Sequence, residues 1–150
     1  MTRSERMGVV KQATAHTERE HADRVAQAER QMVEMEEKLA ALERYRKEYE
    51  DGFSARAGAG LSVSAGRDFQ AFLARLGDAL EQQRQVVEQA RAAHQAAILV
   101  WRETAKRAHV VDTLAERWQA EESREESRRD QRDSDELSQQ QRFLNREGKS

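Results

Sequence analysis

The sequence predicts an all-α protein, a long two-helix antiparallel coiled-coil hairpin with a C-terminal helical overhang. Three observations carry that reading. Apolar residues recur in alternating steps of three and four along both halves of the chain. Proline, the strongest helix breaker, is absent. Four of the seven glycines and three serines fall in one stretch, Asp51–Gly66, and both residue types weaken a helix.

The composition agrees with a coiled coil. At 37% hydrophobic and 36% charged, the chain is poor material for a round core but ordinary for paired helices. Disorder is the competing reading of such polarity, and strict periodicity decides against it. Residues 1–150 are expected to form a single coiled-coil domain. The chain holds no cysteine, so it has no disulfide or thiolate metal site; this fits a reducing compartment. The longest apolar run, Ala96–Trp101, is far too short to span a membrane. No signal-peptide pattern opens the chain, so the expected location is the cytoplasm without direct membrane insertion. Net charge is −2, from 26 basic and 28 acidic side chains mixed along the sequence. A nucleic-acid partner is not expected from that pattern.

Taken in order, Thr2-Arg3-Ser4-Glu5 has the form of a capping box, so a helix can start almost at once. Met7, Val10, Ala13 and Ala15 are only loosely in phase. From Val25 the seam becomes regular through Ala28, Met32, Met35, Leu39 and Leu42, extended by Tyr45 and Tyr49. The first helix is expected over about residues 2–51, with Gly52 as its terminating residue, and a loop over 52–66. Ser62 or Ser64 can cap the second helix, expected over about 67–142. Its seam runs Leu73, Leu76, Leu80, Gln83, Val87, Ala90, His94, Ala97, Trp101, Thr104, Ala108, Val111, Ala115 and Trp118. Past Trp118 the chain is almost wholly polar, and residues 143–150 are expected as a tail.

With the loop centred near Ala59, Met35 should face Gln83 and Leu42 should face Leu76. The first helix, about 75 Å long at 1.5 Å per residue, should run out near the level of Val110. Trp118 would then lie beyond it and be more accessible than Trp101.

Catalytic and cofactor sites are not expected, because two helices offer no deep pocket in which groups converge. His16 and His21 sit about 140° apart round a helix and chelate poorly. His94 belongs to the seam, and no metal site is expected. No phosphate loop, zinc-binding helix motif or nucleophile elbow occurs. The cluster Arg128, Arg129 and Arg132 beside Asp130 and Asp133 is either a mixed-charge surface or an electrostatic contact with a partner.

The chain resembles the flagellar export protein FliJ family of the flagellar type III secretion system. The matching residues are Tyr45-Arg46-Lys47-Glu48-Tyr49, Phe69-Gln70-Ala71-Phe72-Leu73-Ala74-Arg75-Leu76 leading to Glu81-Gln82-Gln83-Arg84, Trp101-Arg102-Glu103, and Asp130-Gln131 before Asp135-Glu136. No single motif is specific; their combined order spans nearly the whole chain. The family is similar in shape to the central stalk of rotary ATPases. The resemblance implies a non-enzymatic protein that binds and stimulates the hexameric flagellar export ATPase, contacts the membrane export gate protein and escorts export chaperones. It also implies peripheral association with the inner-membrane export apparatus. Carried over by position, the gate contact would use Phe72, Leu76, Ala79 and Gln83, where glutamine stands in place of an expected histidine. Phe72 can equally be read as covering the loop end of the hairpin. The ATPase contact would use Trp118, Arg124, Arg128, Arg129, Asp130, Gln131, Asp135 and Glu136. A stalk or chaperone of a virulence type III system and a structural homodimeric coiled coil are the alternative readings.

Overall fold

The computed structural model describes residues 1–148. Two helices make up nearly all of it: α1, Arg3–Ala57, and α2, Val63–Glu147. They pack against each other as a helical hairpin, and no strand occurs among the described residues. By contacts the chain divides into two units, Arg19–Glu103 and Met1–Glu18 with Thr104 onward.

Within Arg19–Glu103 the seam expected on α2 is the face that packs. Leu76, Leu80, Val87 and Ala90 are buried, while Leu73, Gln83, His94, Ala97 and Trp101 are half-buried. On α1 the residues Val25, Ala28, Met32, Met35, Leu39 and Leu42 are all half-buried. The alternation of three and four tracks one face of each helix, so that face meets its partner throughout. The Gln83 side-chain amide donates to the Met35 carbonyl at 3.0 Å, which sets these two residues opposite one another as the mirror count predicts. Arg91 Nε reaches Glu36 Oε1 at 3.3 Å across the margin of the seam.

The turn is tighter than the sequence suggests. α1 does not stop at Gly52 but continues to Ala57, and α2 already begins at Val63, leaving residues 58–62 between them. An aromatic stack overrides the glycine. Phe53 lies face to face with Phe69 at 3.6 Å and 5°, and Tyr49 stacks on Phe69 at 5.3 Å. A helical glycine costs about 1 kcal/mol relative to alanine; aromatic pairs contribute roughly 0.5–1.5 kcal/mol each beyond their buried area. Two such pairs therefore outweigh Gly52. The true turn residue is Gly60, whose φ of +91° lies where side chains other than glycine are strained. Of the two expected caps, Ser62 serves: its hydroxyl accepts the Ala65 N–H at 3.2 Å.

In the other unit, α1 starts on the expected capping box. Glu5 N–H donates to Thr2 Oγ1 at 3.2 Å, and Thr2 N–H donates back to Glu5 Oε2 at 3.1 Å. The packing phase continues closer to the N-terminus than apolar spacing reveals, through Met7 (buried) and Thr14 and Glu18 (half-buried). α1 therefore does not run out near Val110. Its first turn reaches Trp118, Glu121 and Glu122, with Arg3 and Ser4 touching all three. Trp118 is correspondingly half-buried, in the same range as Trp101, and is not left beyond the end of α1. Beyond Glu122 every described residue is exposed, although α2 stays helical to Glu147. Residues 143–147 are thus helix rather than tail; Lys149 and Ser150 lie outside the described residues.

Candidate functional site

Two surfaces correspond to the residues singled out in the sequence. The first is the stripe Phe72, Leu76, Ala79 and Gln83 on α2. Its period turns it toward α1. Leu76 is 7% exposed, and the other three are half-buried. The Phe72 ring lies 4.3 Å from Tyr49 and 6.2 Å from Tyr45, the latter edge-on. Gln83 is tied to Met35 through its amide. In the free chain these four side chains hold the hairpin together near its turn, and only the outer margins of Phe72, Ala79 and Gln83 face solvent. Tyr45 flanks them at 49% exposure. Its place beside Phe72 was not separable from the seam in the sequence; the signal was the tyrosine pair at spacing i,i+4, which puts both rings on one face.

The second surface is α2 from Ser123 to Glu147. The seam alternation explains why pairing stops there. Continued past Trp118, steps of four and three land on Glu122, Glu125, Arg129, Arg132, Glu136, Gln139 and Phe143. Six of those seven positions are polar, so a second helix would have nothing to bury against them. Arg124, Arg128, Arg129, Asp130, Gln131, Asp135 and Glu136 are all exposed. Arg124 Nε donates to the Ala120 carbonyl at 3.3 Å, and the Gln131 amide donates to Asp135 Oδ1 at 3.4 Å. Both contacts stay within the helix and leave the charged groups open to a partner. The segment carries six arginines and seven carboxylates, so its surface is nearly neutral but dense in charge. Leu137, Phe143 and Leu144 are each more than 60% exposed. Glu136, Gln139, Gln140, Phe143 and Leu144 form a notch along one face of this single helix rather than an enclosed cavity.

Trp118 joins the second surface to the paired part. Arg3 Cζ sits 4.5 Å from the centre of its ring, and the same guanidinium reaches Glu121 Oε2 at 3.3 Å. Glu122 accepts the Ser4 backbone N–H at 3.1 Å and the Ser4 hydroxyl. These hydrogen bonds, with the nearby Arg3 charge, hold the Glu122 carboxyl below its ordinary value of 4.5. Sequence spacing alone did not bring Arg3 and Ser4 to this place, because polar residues at a helix end carry no seam signal.

The arrangement has one face closed by packing and another open and polar. Among the described residues no cluster of three potential metal-ligating side chains occurs, and no helix is long and apolar enough to cross a membrane. Comparison with known protein families matches residues 3–148 to the family described as flagellar FliJ protein. Neither the curated proteins nor the solved structures give a significant match. The match runs over both helices, the turn and the exposed end of α2, and the chain belongs to the flagellar FliJ family.

Proposed function

We propose that this flagellar export component is a stalk: the exposed end of α2 engages the hexameric export ATPase and stimulates it, while the region near the turn contacts the export gate protein. The observation that carries the reading is the run of α2 after Glu122, helical yet exposed on every side. Isolated polar helix has little to stabilise it, since most helical stability in proteins comes from packing an apolar face. A charged ring lumen supplies hydrogen bonds and opposite charges to such a surface better than a dry core does. Arg124, Arg128, Arg129, Asp130, Gln131, Asp135 and Glu136 are the contact residues in this reading, with Trp118 at their paired end. The chain itself performs no chemistry; it favours the assembled ring by binding the hexamer more tightly than its subunits. Escort of export chaperones and peripheral association with the inner membrane belong to the same reading, on the family membership alone.

The gate contact falls to Phe72, Ala79 and Gln83 at their exposed margins, with Tyr45 beside them, and Leu76 supports these side chains from below. A pull-down from the native cytoplasm, with purified ATPase turnover as the second readout, tests the ATPase arm. The expected result is co-purification of the hexamer and faster hydrolysis. Recovery of a second copy of this chain alone, with unchanged turnover, would favour a structural homodimer instead. For the gate arm, Phe72→Ala should weaken gate binding and spare stimulation; equal gate binding by the variant contradicts the assignment.

A further inference from the structure

The N-terminal turn of α1 is bound to a single turn of α2 by three kinds of contact. Arg3 lies over the Trp118 ring and is paired with Glu121. Glu122 caps α1 from outside, taking the Ser4 N–H, one of the donors that a helix start leaves without an intrahelical partner. Thr2 and Glu5 close their own box, and Arg6 N–H donates to the Thr2 carbonyl at 3.1 Å, so the turn is preformed as a unit. One residue further along α2, exposure becomes complete. The contact therefore stands at the border between the paired and the open parts of this unit.

We propose that the first turn of α1 is a releasable clasp: in the free chain it closes over Trp118, and a partner seated on Ser123–Glu147 extends onto Trp118, Glu121 and Glu122 by displacing Arg3 and Ser4. The inference rests on the reading of that segment as the ATPase contact. Release is easy because the clasp is wet. The side chains of Arg3 and Glu121 are 54% and 47% exposed, and ion pairs of that kind add little net stability. Little apolar surface holds the turn down, Met7 being the first buried residue of α1. The vacated seat has a definite chemistry. An aromatic face with two carboxylates three and four residues onward accepts a guanidinium over the ring and a hydrogen bond to a carboxylate. The displacing group on the partner is accordingly an arginine-bearing surface.

The full chain with Trp101→Phe leaves Trp118 as the only tryptophan and serves as the parent for Arg3→Ala, Arg3→Lys and Ser4→Ala. Three quantities are read: acrylamide quenching of Trp118, amide exchange of residues 3–10, and affinity for the assembled ATPase. Arg3→Ala should raise quenching and speed exchange, and should bind the ATPase about two- to fivefold more tightly, the range an exposed cation–π contact sustains. Arg3→Lys should restore part of the parent behaviour, because an ammonium also sits over an indole. Unchanged quenching in Arg3→Ala overturns the clasp. Raised quenching with unchanged or weaker ATPase binding overturns the competition and leaves the ATPase reading standing. If the parent does not bind the ATPase at all, the ATPase reading and the competition fall together, and the quenching result alone decides the clasp.

Discussion

At the scale of single residues, Glu122 gives a pH signature. Its carboxyl is held low chiefly by the Ser4 hydroxyl, then by the Ser4 N–H, with a smaller share from Arg3; its partial desolvation acts the other way. A carboxyl depressed on folding stabilises the folded form above its ordinary value and loses that contribution as pH falls through the folded value. Arg3 on α1 and the adjacent Glu121 on α2, themselves paired, are charged groups beside it. Amide protection of residues 4–8 should therefore stay level down to about pH 4.5 and fall below it. Glu122→Gln should lower protection at neutral pH and remove that step. A step of the same size in the variant contradicts the role of Glu122.

Two glycines near the turn should respond in opposite directions to alanine. Gly52 is helical with open space where a Cβ would go, so Gly52→Ala should stabilise by about 0.5–1 kcal/mol. Gly60 also has open space, but its φ is +91°, so Gly60→Ala should destabilise by about 1–2 kcal/mol. Urea unfolding of both variants reads the signs directly. Destabilisation by Gly52→Ala would mean that α1 ends before it.

At the scale of elements, the seam decides what was legible. From Val25 on α1 and from Leu73 on α2, apolar residues occupy most of the three–four positions, so burial can be read from spacing. Between Ser4 and His21 the same phase carries Thr14, Glu18 and His21, which pack half-buried without an apolar signal. That is why apolar spacing understates the reach of α1 and puts Trp118 beyond it. The end of α1 departs from the local signal for a different reason: Gly52 acts locally, whereas the Phe53–Phe69 stack is tertiary and outweighs it. The candidate site divides the same way. Exposure of Arg124 through Glu136 follows from a polar seam and burial of Leu76 from an apolar one, but the contacts of Phe72, which flanks the seam, required the partner helix to be in place.

The energetics of the seam are testable. Leu80 and Val87 are at most 2% exposed, whereas Leu99 is 54% exposed. Leu80→Ala should cost about 2–5 kcal/mol, and Leu99→Ala should stay within about 0.5 kcal/mol. Thermal unfolding followed by circular dichroism measures both. Equal effects would mean that Leu99 is covered in solution, as a homodimer would require.

At the scale of the whole molecule, the two helices are unequal, 55 residues against 85, and only five hydrophobic residues are buried among the described residues. A core that thin leaves little apolar burial to hold the two helices together. The hairpin itself can be trapped covalently. Cysteines at Met35 and Gln83, placed opposite by the amide hydrogen bond, should oxidise within one chain; disulfides found only between chains would show pairing between molecules.

The central claim is that the open end of α2 drives the export ATPase. The truncation that isolates it stops after Glu122, which keeps Trp118, Glu121, Glu122 and their contacts with Arg3 and Ser4. ATP turnover by the cognate ATPase should rise with the full chain and stay at its basal rate with the 1–122 chain, while circular dichroism shows that chain still helical. Full stimulation by the 1–122 chain would contradict the account.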